Sequence, residues 1–324
     1  MFFKKNYMQK IAILTGGDSA EYNISLLSAN TVLKHLDKKK YLGIIVHLKD
    51  NIYKVGNAQI NTEDFSYYKN GVKTRFDKIF IALHGPPAEN GLIQDYFDKV
   101  ELKYTSCNAK VSSLTFNKYE CNKVLQKFGF RCVSPIIIHQ QEKILENKII
   151  QKIGLPCFVK PNGSGSSYGI SKVNKKQDLA KAISKAFEHD NKVIVENFIE
   201  GKEVSCGVYF DGKNIVALPI TEIISENEFF DYDAKYNGKS QEITPARLSI
   251  QLTSEINKTT IDIYKKMTLS GICRIDYIIK KDKPYIIEIN TIPGLSEESI
   301  IPKQLKVANI SLSEIFNLCL NNIN

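Results

Sequence analysis

The chain has 324 residues, too many for one ordinary hydrophobic core, so two or three packed domains are expected. Its hydrophobic fraction is 43% and its charged fraction 24%; no stretch approaches the ~20 apolar residues of a membrane span, and the start MFFKKNYMQK lacks the apolar segment of a secretory signal, so a soluble cytoplasmic protein is expected. The net charge of +9 comes from lysines scattered over the whole length, with only Arg75, Arg131, Arg247 and Arg274 as arginines; without an aromatic-and-basic motif this reads as solvated surface and not as a nucleic-acid site.

In chain order, Lys10–Thr15 (KIAILT) reads as a buried strand ending in Gly16-Gly17-Asp18-Ser19. A helix follows over about Ala20–Leu36, strands near Tyr41–Leu48 and Lys78–Leu83, and a helix near Leu92–Val100. This βαβ pattern implies a parallel sheet. From about Asn117 the texture changes. A helix (Lys118–Phe128), a strand (Pro135–His139) and a helix (Lys143–Ile153) lead to the strand Pro156–Lys160. The Gly/Ser-rich loop Pro161–Tyr168, a short strand Gly169–Val173, a helix and the strand Lys192–Glu196 come next. The last segment is richer in strands: Val204–Phe210, Ile215–Ile224, Gly271–Lys280 and Tyr285–Asn290, all dense in β-branched residues. The polar loop Ser225–Pro245 between them is too long for a simple connection. Boundaries near 115 and 203 divide the chain into 1–115, 116–203 and 204–324. The seven cysteines show neither a CxxC pair nor Cys/His metal spacing, so reduced, mostly buried thiols are expected.

Five places carry candidate chemistry. In Val159-Lys160-Pro161 and the loop Asn162–Gly169, small residues let backbone N–H groups approach an anion and Lys160 supplies charge; a plain β-hairpin turn explains the segment equally. Arg274-Ile275-Asp276 and Glu288-Ile289-Asn290 place polar side chains two apart, on one face of each strand. Two carboxylates and an amide oxygen make a hard site suited to Mg²⁺, against the alternative of an exposed strand face. Scarce Arg is informative here, because Arg274 persists where Lys is the usual cation and so points to a need for a planar fork. Around Val195–Glu203, a strand entering a turn could meet a nucleotide base, or simply carry surface acids. At Gly16–Glu21, glycines before a helix could bind an anion, or Glu21 could serve the helix dipole. His84, in Leu83-His84-Gly85, is a strand-end histidine and could be structural or catalytic.

Taken together, eight collinear segments resemble the D-alanine–D-alanine ligases of the ATP-grasp superfamily, over roughly Lys10 to the end. They are GGDSAE (16–21), the HG…NG…Q stretch of 83–94, VKPNGSGSSYGISKV (159–173), VENFIEGKEVSCGV (195–208), FFDYDAKY (229–236), EITPAR (242–247), CRIDY (273–277) and EINTIPGLSEESIIP (288–302). The resemblance implies an α/β fold: an N-terminal parallel-sheet domain and two ATP-grasp subdomains that sandwich the nucleotide. It implies ATP-dependent joining of two D-alanines through an acyl phosphate, for peptidoglycan precursors, in a cytoplasmic homodimer with no nucleic-acid or membrane partner. A ligase joining D-alanine to D-lactate or D-serine is the alternative; Tyr236 favours D-alanine as the second substrate.

By position, the resemblance gives Lys118 and Lys160 to the phosphates, with Ser164, Ser166 and Ser167 covering them. Glu196, Phe198 and Ile199 meet adenine, and Glu203 the ribose. Asp276, Glu288 and Asn290 hold Mg²⁺ or Mn²⁺, two ions per site. Glu21 binds the ammonium of the first D-alanine, with His84 nearby. Arg274 and the Gly294 N–H hold the carbonyl oxygen, and Ser299 with Ile300 the second D-alanine's carboxylate. Lys235 and Tyr236 belong to the 225–245 loop, which closes over the site; Glu21, Ser166, Tyr236, Arg274 and Gly294 form the catalytic set. One departure stands out: Ala88-Glu89-Asn90-Gly91 replaces the family's Gly-Glu-Asp-Gly. Because Ala reaches positive φ only at a cost, this turn is expected to differ and to disturb the placing of His84.

Overall fold

The structure, a computed structural model, describes residues 7–165, 168–225 and 240–323. Ser166, Ser167, Lys235 and Tyr236 lie outside these residues, as does most of the 225–245 loop and its expected closure.

The expected parallel sheet is present. Strands β1 (Gln9–Gly16), β2 (Tyr41–Lys49), β3 (Ile52–Val55) and β4 (Ala58–Gln59) are followed by a separate hairpin, β5 (Tyr67–Lys69) and β6 (Val72–Thr74), and then by β7 (Lys78–Ile81). The sheet order is β4-β3-β2-β1-β7, with β1 parallel to both β2 and β7. Ile11–Leu14 of β1 are fully buried, which is why that strand is continuously apolar and not alternating. Gly16 at its end is required by the crossing: a Cβ there would sit 2.3 Å from the Leu48 carbonyl oxygen, and its φ is +99°.

The second sheet contains β8 (Ile136–His139), β9 (Cys157–Pro161), β10 (Ser171–Val173) and β11 (Lys192–Asn197), in the order β10-β9-β11-β8, all antiparallel. The third contains β12 (Lys202–Phe210), β13 (Ile215–Ala217), β14 (Thr221–Ser225), β15 (Ser240–Ile243), β16 (Cys273–Lys280) and β17 (Lys283–Asn290). Its order is β15-β14-β12-β16-β17, with β13 also on β12. Part of the segment expected as loop is therefore strand, since β15 pairs with β14.

The expected single strand 215–224 is interrupted at Leu218–Ile220, where Pro219 has no N–H to give to a ladder, and a side chain from far along the chain fills the gap. Gln304 is fully buried. Its Oε1 accepts from the Gly207 N–H (3.0 Å), and its Nε2 donates to the Ser205 carbonyl (2.9 Å) and Thr221 Oγ1 (3.0 Å). The amide takes the place of ladder partners between β13 and β14 and fastens the helix Ile300–Val307 to β12. That helix and the last one, Leu312–Asn321, pack on the N-terminal sheet, with Phe316 edge-on to Phe80 at 5.4 Å. The helix Ile250–Lys266, not expected from the sequence, is capped by Ser249 (Oγ to Leu252 N, 3.2 Å) and buries Leu252, Ile256, Ile263 and Tyr264 along one face.

On β14, buried Glu222 accepts from Arg247 Nε and Nη2 at 2.9 and 2.7 Å, with Lys202 Nζ 3.2 Å away. The Arg247 hydrogen bonds bring its carboxyl down to about 2 from 4.5. Because the folded value is the lower one, the stability it contributes is full above about 4.5 and is lost as pH falls towards 2. Urea midpoints across that window should therefore fall more steeply in the wild type than in Glu222→Gln; parallel acid limbs would remove this pair from the pH response.

Candidate active site

The β16–β17 register sets Arg274 opposite Asn290 and Asp276 opposite Glu288. Residues two apart on a strand share a face, so all four side chains gather on one patch of sheet. On the other flank of β16, Ser205 of β12 faces Asp276, and its hydroxyl donates to Asp276 Oδ1. Arg274 uses its fork on the same carboxylate: Nε donates to Oδ1 and Nη2 to Oδ2, both at 2.8 Å. The planar geometry inferred from the rarity of Arg is thus in use, with Asp276 as the acceptor in this structure.

The donor chemistry fits a divalent cation. Asp276, Glu288 and the Asn290 amide oxygen are hard oxygen ligands on facing strands. The Asn290 Oδ1 accepts from the Ile292 N–H at 3.0 Å and retains a second lone pair. Among the described residues, no group of three His, Cys, Asp or Glu side chains could hold a metal.

The Gly/Ser-rich loop is tied to the start of the helix Lys118–Lys127. Asn162 Oδ1 accepts from the Tyr119 N–H (2.9 Å), and its Nδ2 donates to Asn117 Oδ1 (3.0 Å), the oxygen that caps this helix. Lys118 Nζ donates to the Ser164 carbonyl at 2.5 Å, and the Gly163 N–H to Asp190 at 2.6 Å. A plain hairpin turn would need none of these ties. Lys160, on β9, forms an ion pair with Glu196 of β11, both side chains largely buried.

His84 is buried at the end of the segment that follows β7. Its Nδ1 is 2.9 Å from the Ile292 carbonyl, which can only accept, so Nδ1 carries the proton. Nε2 then accepts from the Ser28 hydroxyl (2.8 Å), and Ser28 Oγ in turn accepts from the Leu295 N–H (3.1 Å). Burial lowers the imidazole pKa, which keeps this neutral tautomer. The relay clamps the Ile292–Leu295 turn, which contains Gly294, against the helix Tyr22–His35. Ala88 does not disturb it: the positive-φ residues of this segment are Gly85 (+75°) and Gly91 (+86°), while Ala88 is buried and its carbonyl accepts from Gln94 Nε2 at 2.7 Å. The expectation of a disturbed turn is corrected, since position 88 never needed glycine. Glu21 occupies the N-cap position of its helix without a side-chain cap bond, and its carboxylate faces the cleft.

These parts enclose one cleft of about 390 Å³. Of the expected residues described, Glu21, His84, Lys118, Lys160, Ser164, Glu203, Arg274, Asp276, Glu288, Asn290, Gly294, Ser299 and Ile300 line it. Glu196, Phe198 and Ile199 do not. Glu196 is turned to Lys160, Phe198 packs on Phe158 (5.7 Å between centroids) under the Lys172 ammonium, and Ile199 is buried. Glu89 and Glu242 also line the cleft; both stand inside segments that carry the family resemblance, which gives neither of them a role. Ser28 had no sequence signal.

The D-ala D-ala ligase N-terminus family model matches residues 10–107, and the D-ala D-ala ligase C-terminus model residues 124–320. The chain belongs to the D-alanine–D-alanine ligase family. It is 46% identical to the D-alanine–D-alanine ligase of Flavobacterium johnsoniae, covering 95% of this chain and 97% of that one. To that of Phocaeicola vulgatus it is 44% identical, covering 96% and 98%. Among solved structures it resembles D-alanyl-alanine synthetase A from Vibrio cholerae (TM-score 0.88, 25% identity, 98% of each chain). It also resembles the VanG D-Ala:D-Ser ligase from Enterococcus faecalis (TM-score 0.84, 28% identity, 97% and 99%).

In this member of the D-alanine–D-alanine ligase family the Ser28 relay has a measurable consequence. Ser28→Ala leaves His84 Nε2 without its donor and the Leu295 N–H without its acceptor. Stability should fall by about 1–3 kcal/mol, and turnover by up to about a hundredfold as the Gly294 turn shifts. Urea unfolding and steady-state rates check both, and wild-type values would show that the relay does not hold the turn.

Proposed function

We propose that the protein joins two D-alanines at the expense of ATP, giving D-alanyl-D-alanine, ADP and phosphate for peptidoglycan precursor synthesis. As a member of the family it is an ATP-dependent ligase that works with a divalent metal. The observation that carries the reading is the β16–β17 register. It puts Arg274, Asp276, Glu288 and Asn290 on the wall of the same cleft that Lys118, Lys160 and Ser164 line.

The apolar side chains Phe158, Ile278 and Ile287 offer the walls for a nucleotide base, with Glu196, Phe198 and Ile199 behind them and Glu203 at the ribose. Lys118 and Lys160 offset phosphate charge. Asp276, Glu288 and Asn290 would hold two divalent ions, which would supply Lewis-acid neutralisation of the phosphates. Glu21, with His84 behind it, takes the ammonium of the first D-alanine. The carboxylate of that D-alanine accepts the phosphoryl group and becomes an acyl phosphate, which the amine of the second D-alanine attacks. Arg274 and the Gly294 N–H are aimed where the carbonyl oxygen gains charge. Ser299 and the Ile300 N–H, at the start of a helix held in place by Gln304, suit the second carboxylate. Ser166, Ser167, Lys235 and Tyr236 are assigned to covering and completing the site by the resemblance alone, a cover that would protect the acyl phosphate from water.

We also assign the domains as 1–115, 116–203 and 204–324, and a homodimer in the cytoplasm. No helix among the described residues is long and apolar enough to cross a membrane. The deciding experiment is phosphate release from ATP with D-alanine alone, with L-alanine, and with D-alanine plus D-serine or D-lactate. Release with D-alanine alone, yielding dipeptide, is expected. Preferential use of D-serine or D-lactate as second substrate would replace the reading with the alternative ligase.

A further inference from the structure

Glu89 lies in the turn after His84, and its carboxylate faces the cleft beside Glu21 and Gly165. A Cβ built on Gly165 would stand 3.0 Å from Glu21 Oε2 and 3.7 Å from Glu89 Oε2, so the two carboxylates converge on one point. The turn that presents Glu89 is fixed: its own N–H donates to the Gly85 carbonyl (3.1 Å), and Gln94 holds the Ala88 carbonyl. The Gly85 backbone also hydrogen-bonds the Glu89 carboxylate and opposes the rise in its pKa. Burial, and then the charge of Glu21, push its carboxyl up to about 8. Glu288 adds to this repulsion, Lys118 opposes it, and His84 is held neutral. A carboxylate withdrawn from water beside another is costly unless a cation joins them.

We propose that Glu89 is the second carboxylate of the ammonium subsite, holding with Glu21 the α-ammonium of the first D-alanine beside Gly165. The proposal rests on the assignment of Glu21 to that ammonium. An ammonium has three donors, more than one carboxylate oxygen satisfies, and glycine at 165 leaves room where any side chain would crowd Glu21. The pair also separates two identical substrates by chemistry. An amine between two carboxylates keeps its proton and is no nucleophile, which leaves attack to the amine of the second D-alanine.

The test compares binding of D-alanyl-D-alanine with that of D-lactyl-D-alanine, in which a hydroxyl replaces the ammonium, to the full chain by calorimetry. In wild type the ammonium ligand is preferred. In Glu89→Gln this preference should shrink by about tenfold or more, with Glu89→Asp retaining most of it. Glu21→Gln serves as the control for the underlying assignment. If Glu21→Gln erases the preference and Glu89→Gln leaves it intact, or weakens both ligands equally, the proposal is overturned while the Glu21 reading stands. If neither variant changes the preference, the ammonium is held elsewhere and both fail.

Discussion

Asp276→Asn and Glu288→Gln should each lower turnover by at least about a thousandfold, the several kcal/mol that Lewis-acid charge neutralisation supplies. The register sets these two carboxylates directly opposite each other, and an amide oxygen is a weaker ligand for a hard cation than a carboxylate. The two variants should differ in stability. Asp276 accepts both fork bonds of Arg274 and the Ser205 hydroxyl, so Asp276→Asn also leaves a guanidinium poorly paired and should cost about 1–3 kcal/mol. Binding of Mn²⁺, followed by water-proton relaxation, should weaken in both variants independently of turnover. Near-normal rates in both at saturating Mg²⁺ would remove the metal assignment.

Arg274→Lys should cost about a hundredfold in kcat, roughly the 3 kcal/mol lost with one aimed donor at a developing oxyanion. Lys keeps the charge but cannot present two parallel N–H groups. The structure adds a second loss, because the fork also holds both oxygens of Asp276 at 2.8 Å, and a Lys could hold only one with comparable geometry. The defect should fall on kcat more than on KM for ATP, since the interaction strengthens as charge develops. A variant retaining more than about half of wild-type kcat would show that Arg274 does not stabilise the transition state.

Much of the site is legible in the sequence, because its chemistry sits at short sequence spacing. Arg274 with Asp276, and Glu288 with Asn290, share faces by the two-residue repeat of a strand. The apolar run of β1 reads as a buried strand, and its alternation with helices reads as a parallel sheet. The Gly/Ser-rich loop carries its own backbone logic. Such features depend on neighbours within one element, and the sequence states them directly.

Other features depend on which distant elements meet, and periodicity carries no information about that. Gln304 reads as one more polar residue in a helix, yet it fills the gap that Pro219 leaves in the strand expected at 215–224, by bonding Gly207, Ser205 and Thr221. Ser28 joins His84 to Leu295 across three segments, and Glu89 meets Glu21 only because the turn after β7 folds towards the loop that holds Gly165. Position 88 follows the same logic: the family pattern marks a glycine there, but only the backbone shows that positive φ falls at Gly85 and Gly91. Sequence by itself determined the kinds of groups this protein brings to its chemistry and the strands that carry them. Tertiary structure decided their partners, because burial and hydrogen-bond satisfaction are settled where segments remote in sequence pack together.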